Sequence, residues 1–151
     1  MSSSVPFVGF TVGGVPLAVE AVKVRGVARA EGIFAVPFSR PCVRGVIIRQ
    51  GRLVPVLDLT NLPSLWNEVP PSGGEQLVVF GVRELEAAVL ADMAETFMAE
   101  PEPAVLSGEA ASRPLSRLRE GILSGSVAAG GRRYGILGVE AALAAAGVPA
   151  S

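Results

Sequence analysis

Few side chains in this sequence are able to do chemistry. The chain contains no histidine and a single cysteine, Cys42, so Ser-His-Asp and Cys-His arrangements are excluded and the commonest zinc ligand is missing. Asp58 and Asp92 each follow an apolar run, where a pair of carboxylates would act as acid and base and a single one would cap the next turn. We favour capping, and we predict no catalytic residue, no metal site and no cofactor.

The remaining motifs of small-molecule chemistry are also missing. Cys42 has no partner for an internal disulfide and no base to activate its thiol, so we expect it to be a small buried apolar residue. Neither a phosphate-binding loop nor a dinucleotide-binding glycine motif occurs, and the glycine pairs at 13–14, 73–74 and 130–131 predict turns. Binding to other proteins is the function that these observations favour.

The segment "RGVIIRQGRLVPVLDL", residues 44–59, predicts a hairpin with an unusually charged turn. Two runs of branched apolar residues flank Arg49, Gln50, Gly51 and Arg52. Pro55 lies in the returning strand and has no N–H to donate. It therefore implies an edge strand, a bulge or a position whose N–H side faces away from a neighbour, and it places the hairpin at a rim.

The elements that position this hairpin are predicted to be short strands. Half of the residues are hydrophobic but only 5% are aromatic, and 18 glycines and 12 prolines divide the 151-residue chain into short apolar runs. This composition favours a mainly β protein of a single domain over residues 1–151. Strands are expected at 7–12, 15–27, 33–36, 46–48, 53–57, 76–80, 85–90, 121–127 and 133–137, a helical turn at 115–118 and a helix at 139–146.

Hydropathy and charge indicate where the protein is located and which partners it does not bind. No apolar run reaches the roughly 18 to 20 residues that span a bilayer, and the N-terminus has no pattern of a signal peptide, so we expect a cytoplasmic protein without membrane insertion. Residues 1–66 hold seven Lys and Arg against three Asp and Glu, whereas residues 67–151 hold six against eleven. The scattered arginines do not form the dense basic cluster that nucleic-acid binding requires.

The order of motifs resembles the CheW-like coupling proteins of bacterial chemosensory arrays. The resemblance rests on "FVGFTVGG", "LAVEAVKVRGV", "IFAVP" and "RGVIIRQGRLVPVLDL", and more weakly on "LEAAVLADMAETF" and "YGILGVEAALA", and it extends from about residue 7 to 146. The hairpin positions that match are Gly45, Val46, Gly51, Val54, Pro55, Val56, Asp58 and Leu59. This resemblance implies a CheW-like fold of two intertwined five-stranded SH3-like β-barrels with short helices.

The resemblance also implies a non-enzymatic adaptor. Its partners would be methyl-accepting chemoreceptors, other CheW-like proteins and a CheA-type histidine kinase, with the receptor tip bound in a groove between the barrels. The implied receptor-binding residues are Val24, Val27, Gly45 and Val46, and the hairpin from Arg49 to Arg52 would lie at the coupling surface.

Three positions depart from the family pattern. The family's arginine in the hairpin turn falls on Gln50, its glutamate after the first valine of the "VRGV" segment falls on Gly26, and its arginine after Asp-Leu falls on Thr60. These changes indicate drift at exposed sites or a specialised adaptor with weakened kinase binding, comparable to accessory adaptors of the Frz gliding system. The other hypotheses are an inhibitory or structural module that caps signalling assemblies and a small-molecule-binding barrel.

Overall fold

A computed structural model describes residues 4–37, 39–102, 115–119 and 123–147. Nine strands, four short 3-10 turns and one helix are found there, so the prediction of a mainly β protein is confirmed. The strands are β1 (Val5–Val12), β2 (Val15–Glu20), β3 (Val24–Arg29), β4 (Val43–Arg49), β5 (Arg52–Leu57), β6 (Gln76–Val82), β7 (Leu85–Ala99), β8 (Leu123–Ala129) and β9 (Arg132–Leu137). The helix is α1 (Val139–Ala145), and the 3-10 turns are Ala21–Lys23, Leu59–Asn61, Pro63–Leu65 and Leu115–Arg117.

Two five-stranded sheets share the long strand β7. Its first half pairs with β6 and β5 and completes a sheet of order β3-β6-β7-β5-β4. Its second half pairs with β1 in a sheet of order β7-β1-β2-β9-β8. Met93, at a positive φ of 53°, lies where the register of the β1–β7 pairing shifts, between the pairs Gly9–Glu95 and Thr11–Asp92. A bulge of this kind lets one strand bend and change sheets.

Three apolar cores follow from this sharing. Leu77 and Val79 belong to a core of the first sheet, against which Ala30 and Ile33 of the segment after β3 also pack. Phe7 and Tyr134 belong to a core of the second sheet. The largest core takes side chains from both sheets, and Phe80 of the first sheet faces Phe10 of the second at a ring distance of 6.0 Å. Because successive side chains in a strand alternate faces, β6 contributes to its own core and to the shared one.

Several predicted boundaries were wrong. The run at 15–27 is two strands separated by the turn Ala21–Lys23, and the strand predicted at 85–90 continues to Ala99. The predicted strand at 33–36 is reduced to one bridge, in which Phe34 pairs with Val46 of β4. Most of the 100–119 segment and the start of the strand predicted at 121 lie outside the described residues.

Neither sheet closes into a barrel among the described residues. The free edges of the first sheet belong to β3 and β4, and the bridge between Phe34 and Val46 is the pairing described across the gap between them. The predicted five strands in each half are present, but the first sheet leaves an open seam. In the described part of the chain, no helix has the length and apolar character that crossing a membrane requires.

Candidate functional site

The β4–β5 hairpin turns at Gln50 and Gly51, as the sequence indicates. Arg49 pairs with Arg52, and the two turn residues have φ angles of 52° and 77°. Positive φ at both central residues matches the type I′ turn, whose twist suits a two-residue hairpin. Gln50 is exposed, so the turn presents an uncharged amide to solvent.

Pro55 is tolerated because of the position that it occupies in the ladder. It lies opposite Val46, whose N–H and C=O both bond to Phe34 at 2.8 Å on the other side of β4. In an antiparallel ladder, a residue that bonds on one side exchanges no hydrogen bonds with the residue opposite it on the other. The missing N–H of Pro55 therefore removes no bond between β4 and β5, and the short pairing of β5 with β7 begins only at Val56.

Arg49 turns inward and forms an ion pair at the end of the first sheet. Its Nη1 lies 2.6 Å from Oε2 of Glu86, at the start of β7, and its Nη2 donates to the carbonyl oxygen of Arg25 in β3 at 2.7 Å. The Glu86 side chain is only 7% exposed and that of Arg49 is 24% exposed. The guanidinium therefore links β3, β4 and β7 and is engaged inside the molecule.

The open seam between β3 and β4 contains an apolar groove of about 500 Å³. Ile47, Leu77 and Val79, which belong to the core of the first sheet, line it. Its exposed apolar side chains are Val27, Phe34 and Ile48, which are 47, 58 and 64% exposed. Large apolar side chains that stay exposed around a groove mark a binding surface for another protein.

The four predicted receptor-binding residues do not form one surface. Val27 lines the groove, whereas Val24 is partly buried against the shared core. Gly45 and Val46 instead contact the backbone of Phe34. Val46 exchanges two hydrogen bonds with Phe34, and the carbonyl oxygen of Phe34 occupies the place that a Cβ atom of residue 45 would take. Of the four, only Val27 is among the residues that line the groove.

Sequence reasoning missed Phe34, Ile48 and Leu53. Ile48 and Leu53 lie directly opposite each other on the outer face of the hairpin, and Leu53 is 69% exposed. A strand with a solvated face normally alternates apolar and polar residues. The unbroken apolar runs on both sides of the turn were therefore a signal that the outer face is apolar as well.

A second, polar cleft of about 1020 Å³ is lined by residues of both sheets. Its lining includes Arg29, Glu31, Glu75 and Asp92. The family resemblance implied a receptor groove between the two halves, and this cleft, unlike the groove between β3 and β4, has lining residues from both sheets. None of the four predicted receptor-binding residues is among those that line it.

Asp58 has the capping role that we favoured, whereas Asp92 does not cap a following turn, because it lies inside the long strand β7. Asp58 is buried, and its Oδ1 accepts bonds from the Thr60 backbone N–H at 3.0 Å and the Thr60 hydroxyl at 2.5 Å. Oδ1 of Asp92 accepts from the backbone N–H of Glu75 at 2.9 Å. Thr60 is 4% exposed, so the third departure from the family pattern does not lie at a surface, and it offers no place for a partner to bind.

The Asp58 cap gives a testable prediction for stability. Asp58→Ala should lower the free energy of unfolding by about 2 kcal/mol, because two buried donors of Thr60 lose a charged acceptor. Asp92→Ala is the matched control, and it should cost roughly 1 kcal/mol since the N–H it frees is exposed to water. Urea denaturation of both variants measures the difference, and equal losses would contradict the cap.

Cys42 is buried, as expected, and 2% exposed. Its Sγ lies 3.9 Å from the carbonyl oxygen of Ala146, just after α1. Burial raises the pKa of the thiol, so the thiolate that reacts with electrophiles is disfavoured in the folded protein. No cluster of three metal-ligating side chains occurs within the described residues.

Comparison with models of known protein families identifies the family of this chain. A model of the CheW-like domain matches residues 6–146. The chain belongs to the CheW-like family. Members of this family are non-enzymatic scaffold and adaptor proteins of chemotaxis signalling, so the chain is a chemosensory adaptor and not an enzyme.

A solved structure agrees with this CheW-like assignment. The chain is similar to the scaffolding protein TtCheW from Thermoanaerobacter tengcongensis, with a TM-score of 0.72 and 14% sequence identity. The match covers 92% of this chain and 87% of that chain. At this identity the likeness shows a shared CheW-like fold. No curated protein sequence shows detectable similarity.

Proposed function

We propose that this adaptor binds the cytoplasmic tips of methyl-accepting chemoreceptors through the groove between β3 and β4. The observation that carries the proposal is the exposed apolar lining of Val27, Phe34 and Ile48 in a member of the CheW-like family. The protein would act in the cytoplasm, within arrays that also contain other CheW-like proteins.

The chemistry of the groove suits a helical partner. A receptor tip is a helical hairpin, and a helix places apolar side chains at i, i+3 and i+4 on one face, which an apolar groove accepts. Ile47, Leu77 and Val79 provide an apolar lining for such anchors. Arg49 is also among the lining residues, but its charge is already paired with Glu86.

Co-sedimentation with receptor-containing vesicles tests this proposal. We expect the purified protein to sediment with vesicles that display receptor cytoplasmic tips and to stay in solution with vesicles that lack them. Equal sedimentation with both, or none with either, would contradict receptor binding.

We further propose that binding to a CheA-type histidine kinase is weakened, which makes the protein a specialised adaptor of the kind used in Frz-type gliding systems. Two features support this. Gln50 and Gly26 carry no charge at positions where the family has an arginine and a glutamate, and a glutamine cannot replace the charged fork of a guanidinium. Arg49 cannot supply the missing charge, because its guanidinium is engaged with Glu86 and Arg25.

Restoring the arginine of the turn should strengthen kinase binding. Gln50→Arg is expected to bind the kinase regulatory domain about tenfold more tightly or better, because one charge-assisted hydrogen bond is worth about 1.5 to 3 kcal/mol. Gln50→Asn is the control, since asparagine tolerates the same positive φ without adding charge. Isothermal titration gives the dissociation constants, and micromolar or tighter binding by the unmodified protein would refute the weakening.

A further inference from the structure

Arg49 lies where three strands of the first sheet meet. It ends β4, bonds to the backbone of Arg25 in β3 and pairs with Glu86 at the start of β7. The side chain of Glu86 is more than nine-tenths buried. A buried carboxylate needs a charged partner, so this contact fixes the end of the hairpin relative to the two strands on either side.

Gly26 leaves the space in which the guanidinium lies. A Cβ atom built on Gly26 would be 3.2 Å from Nη2 of Arg49. That distance is tighter than ordinary van der Waals contact, so a larger residue at this position would meet the guanidinium directly. Gly26 and Arg49 both line the apolar groove, next to Ile48.

We infer that Arg49, and not Gln50, is the positioning residue of the hairpin, with Glu86 as its carboxylate partner and Gly26 as the position that admits it. The neighbouring residue Ile48 is thereby held at the wall of the groove. The inference rests on the proposed function in one respect, namely that a receptor tip binds in this groove. It assigns a specificity-determining role to a pair of residues that are distant in sequence.

Moving the carboxylate partner of Arg49 from position 86 to position 26 tests this inference. Glu86→Gln removes the charge that holds Arg49, and we expect affinity for the receptor tip to fall about tenfold. A carboxylate introduced by Gly26→Glu would lie beside the same guanidinium. The double variant Gly26→Glu/Glu86→Gln is therefore expected to regain most of the lost affinity, whereas Gly26→Glu alone leaves two carboxylates competing for one cation.

A second variant separates positioning from stability. In Arg49→Met/Glu86→Leu, apolar side chains of similar volume replace the buried ion pair, a change that is often neutral for stability. The melting temperature should stay within about 3 °C of the unmodified protein, but the directed bond to the Arg25 carbonyl is lost. We expect receptor affinity to fall about tenfold. The amides of Ile47 and Arg52, which lie at hydrogen-bonded positions of the β4–β5 ladder, should exchange faster, with the β8–β9 hairpin unchanged.

Titration with the receptor tip and amide hydrogen exchange decide the inference together. Affinity of the Met/Leu variant within about twofold of the unmodified protein, with unchanged exchange at Ile47 and Arg52, would overturn it. If that variant does not fold, Arg49→Lys serves instead, because a lysine retains the charge but not the fork that reaches Glu86 and Arg25 together. Full affinity and unchanged exchange in Arg49→Lys would also overturn the inference.

The same measurements distinguish the two proposals. Absence of receptor binding by the unmodified protein would contradict the proposed function alone. In that case the exchange rates decide the inference: faster exchange of the hairpin amides in the variants supports it, and unchanged exchange overturns it.

Discussion

Replacing Val27 by aspartate is expected to abolish binding to the receptor tip and to leave the protein folded. Val27 is 47% exposed and lines the groove, so a carboxylate there remains hydrated in the free protein. A partner that covers the groove would bury this charge without a counter-ion, and affinity should fall by about 100-fold or more. Isothermal titration measures the affinity, and circular dichroism verifies the fold.

Val22→Asp is the matched control for this experiment. Val22 is 83% exposed and is not among the residues that line the groove. The same change of valine to aspartate should therefore leave receptor affinity within about twofold of the unmodified protein. If a folded Val27→Asp protein bound as tightly as the Val22→Asp protein, the groove would not be the receptor site.

Gly45→Ala should be among the most destabilising single substitutions in the hairpin. Gly45 has a φ of +153°, which an L-residue rarely adopts, and a Cβ atom there would meet the backbone carbonyl of Phe34. The strain and the overlap together should lower the free energy of unfolding by about 3 kcal/mol. The loss would also disturb the bridge from Phe34 to Val46 and hence the wall of the groove.

Gly51→Ala is the control for the close approach at Gly45. It also has a positive φ, of 77°, but nothing lies within 4 Å of an added Cβ atom. Only the conformational strain remains, so the expected cost is about 1 kcal/mol. Urea denaturation of both variants measures these costs. Equal costs would show that the close approach of the Phe34 carbonyl is not what requires a glycine at position 45.

The parts of this fold that local chemistry determines could be predicted from the sequence. Four residues, Arg49 to Arg52, separate two apolar runs and contain the turn at Gln50 and Gly51. An aspartate after a strand specifies the cap at Asp58. The final hairpin around the glycines at 130–131 and the helix that begins at Val139 follow from equally local signals. In each case the residues that make the structure are close in sequence.

The candidate site could not be predicted in the same way, because its contacts join distant residues. Arg49 and Glu86 are 37 residues apart, and nothing in either local sequence identifies the other as its partner. The local sequence around Phe34 predicts a strand, but Phe34 forms only a single bridge, to Val46. The rest of that edge of β4 has no neighbouring strand among the described residues. Resemblance to the family named Val27, Gly45 and Val46 together, but it could not show that Val27 lines the groove whereas Gly45 and Val46 contact the backbone of Phe34.

The central claim is that this CheW-like chain binds a chemoreceptor tip through the groove between β3 and β4. Isothermal titration of the unmodified, folded protein with a receptor cytoplasmic tip tests it most directly, with the Val27→Asp protein titrated in parallel. The account predicts saturable binding by the unmodified protein and none by the variant in the same concentration range. Absence of binding by both, or equal binding by both, would contradict it.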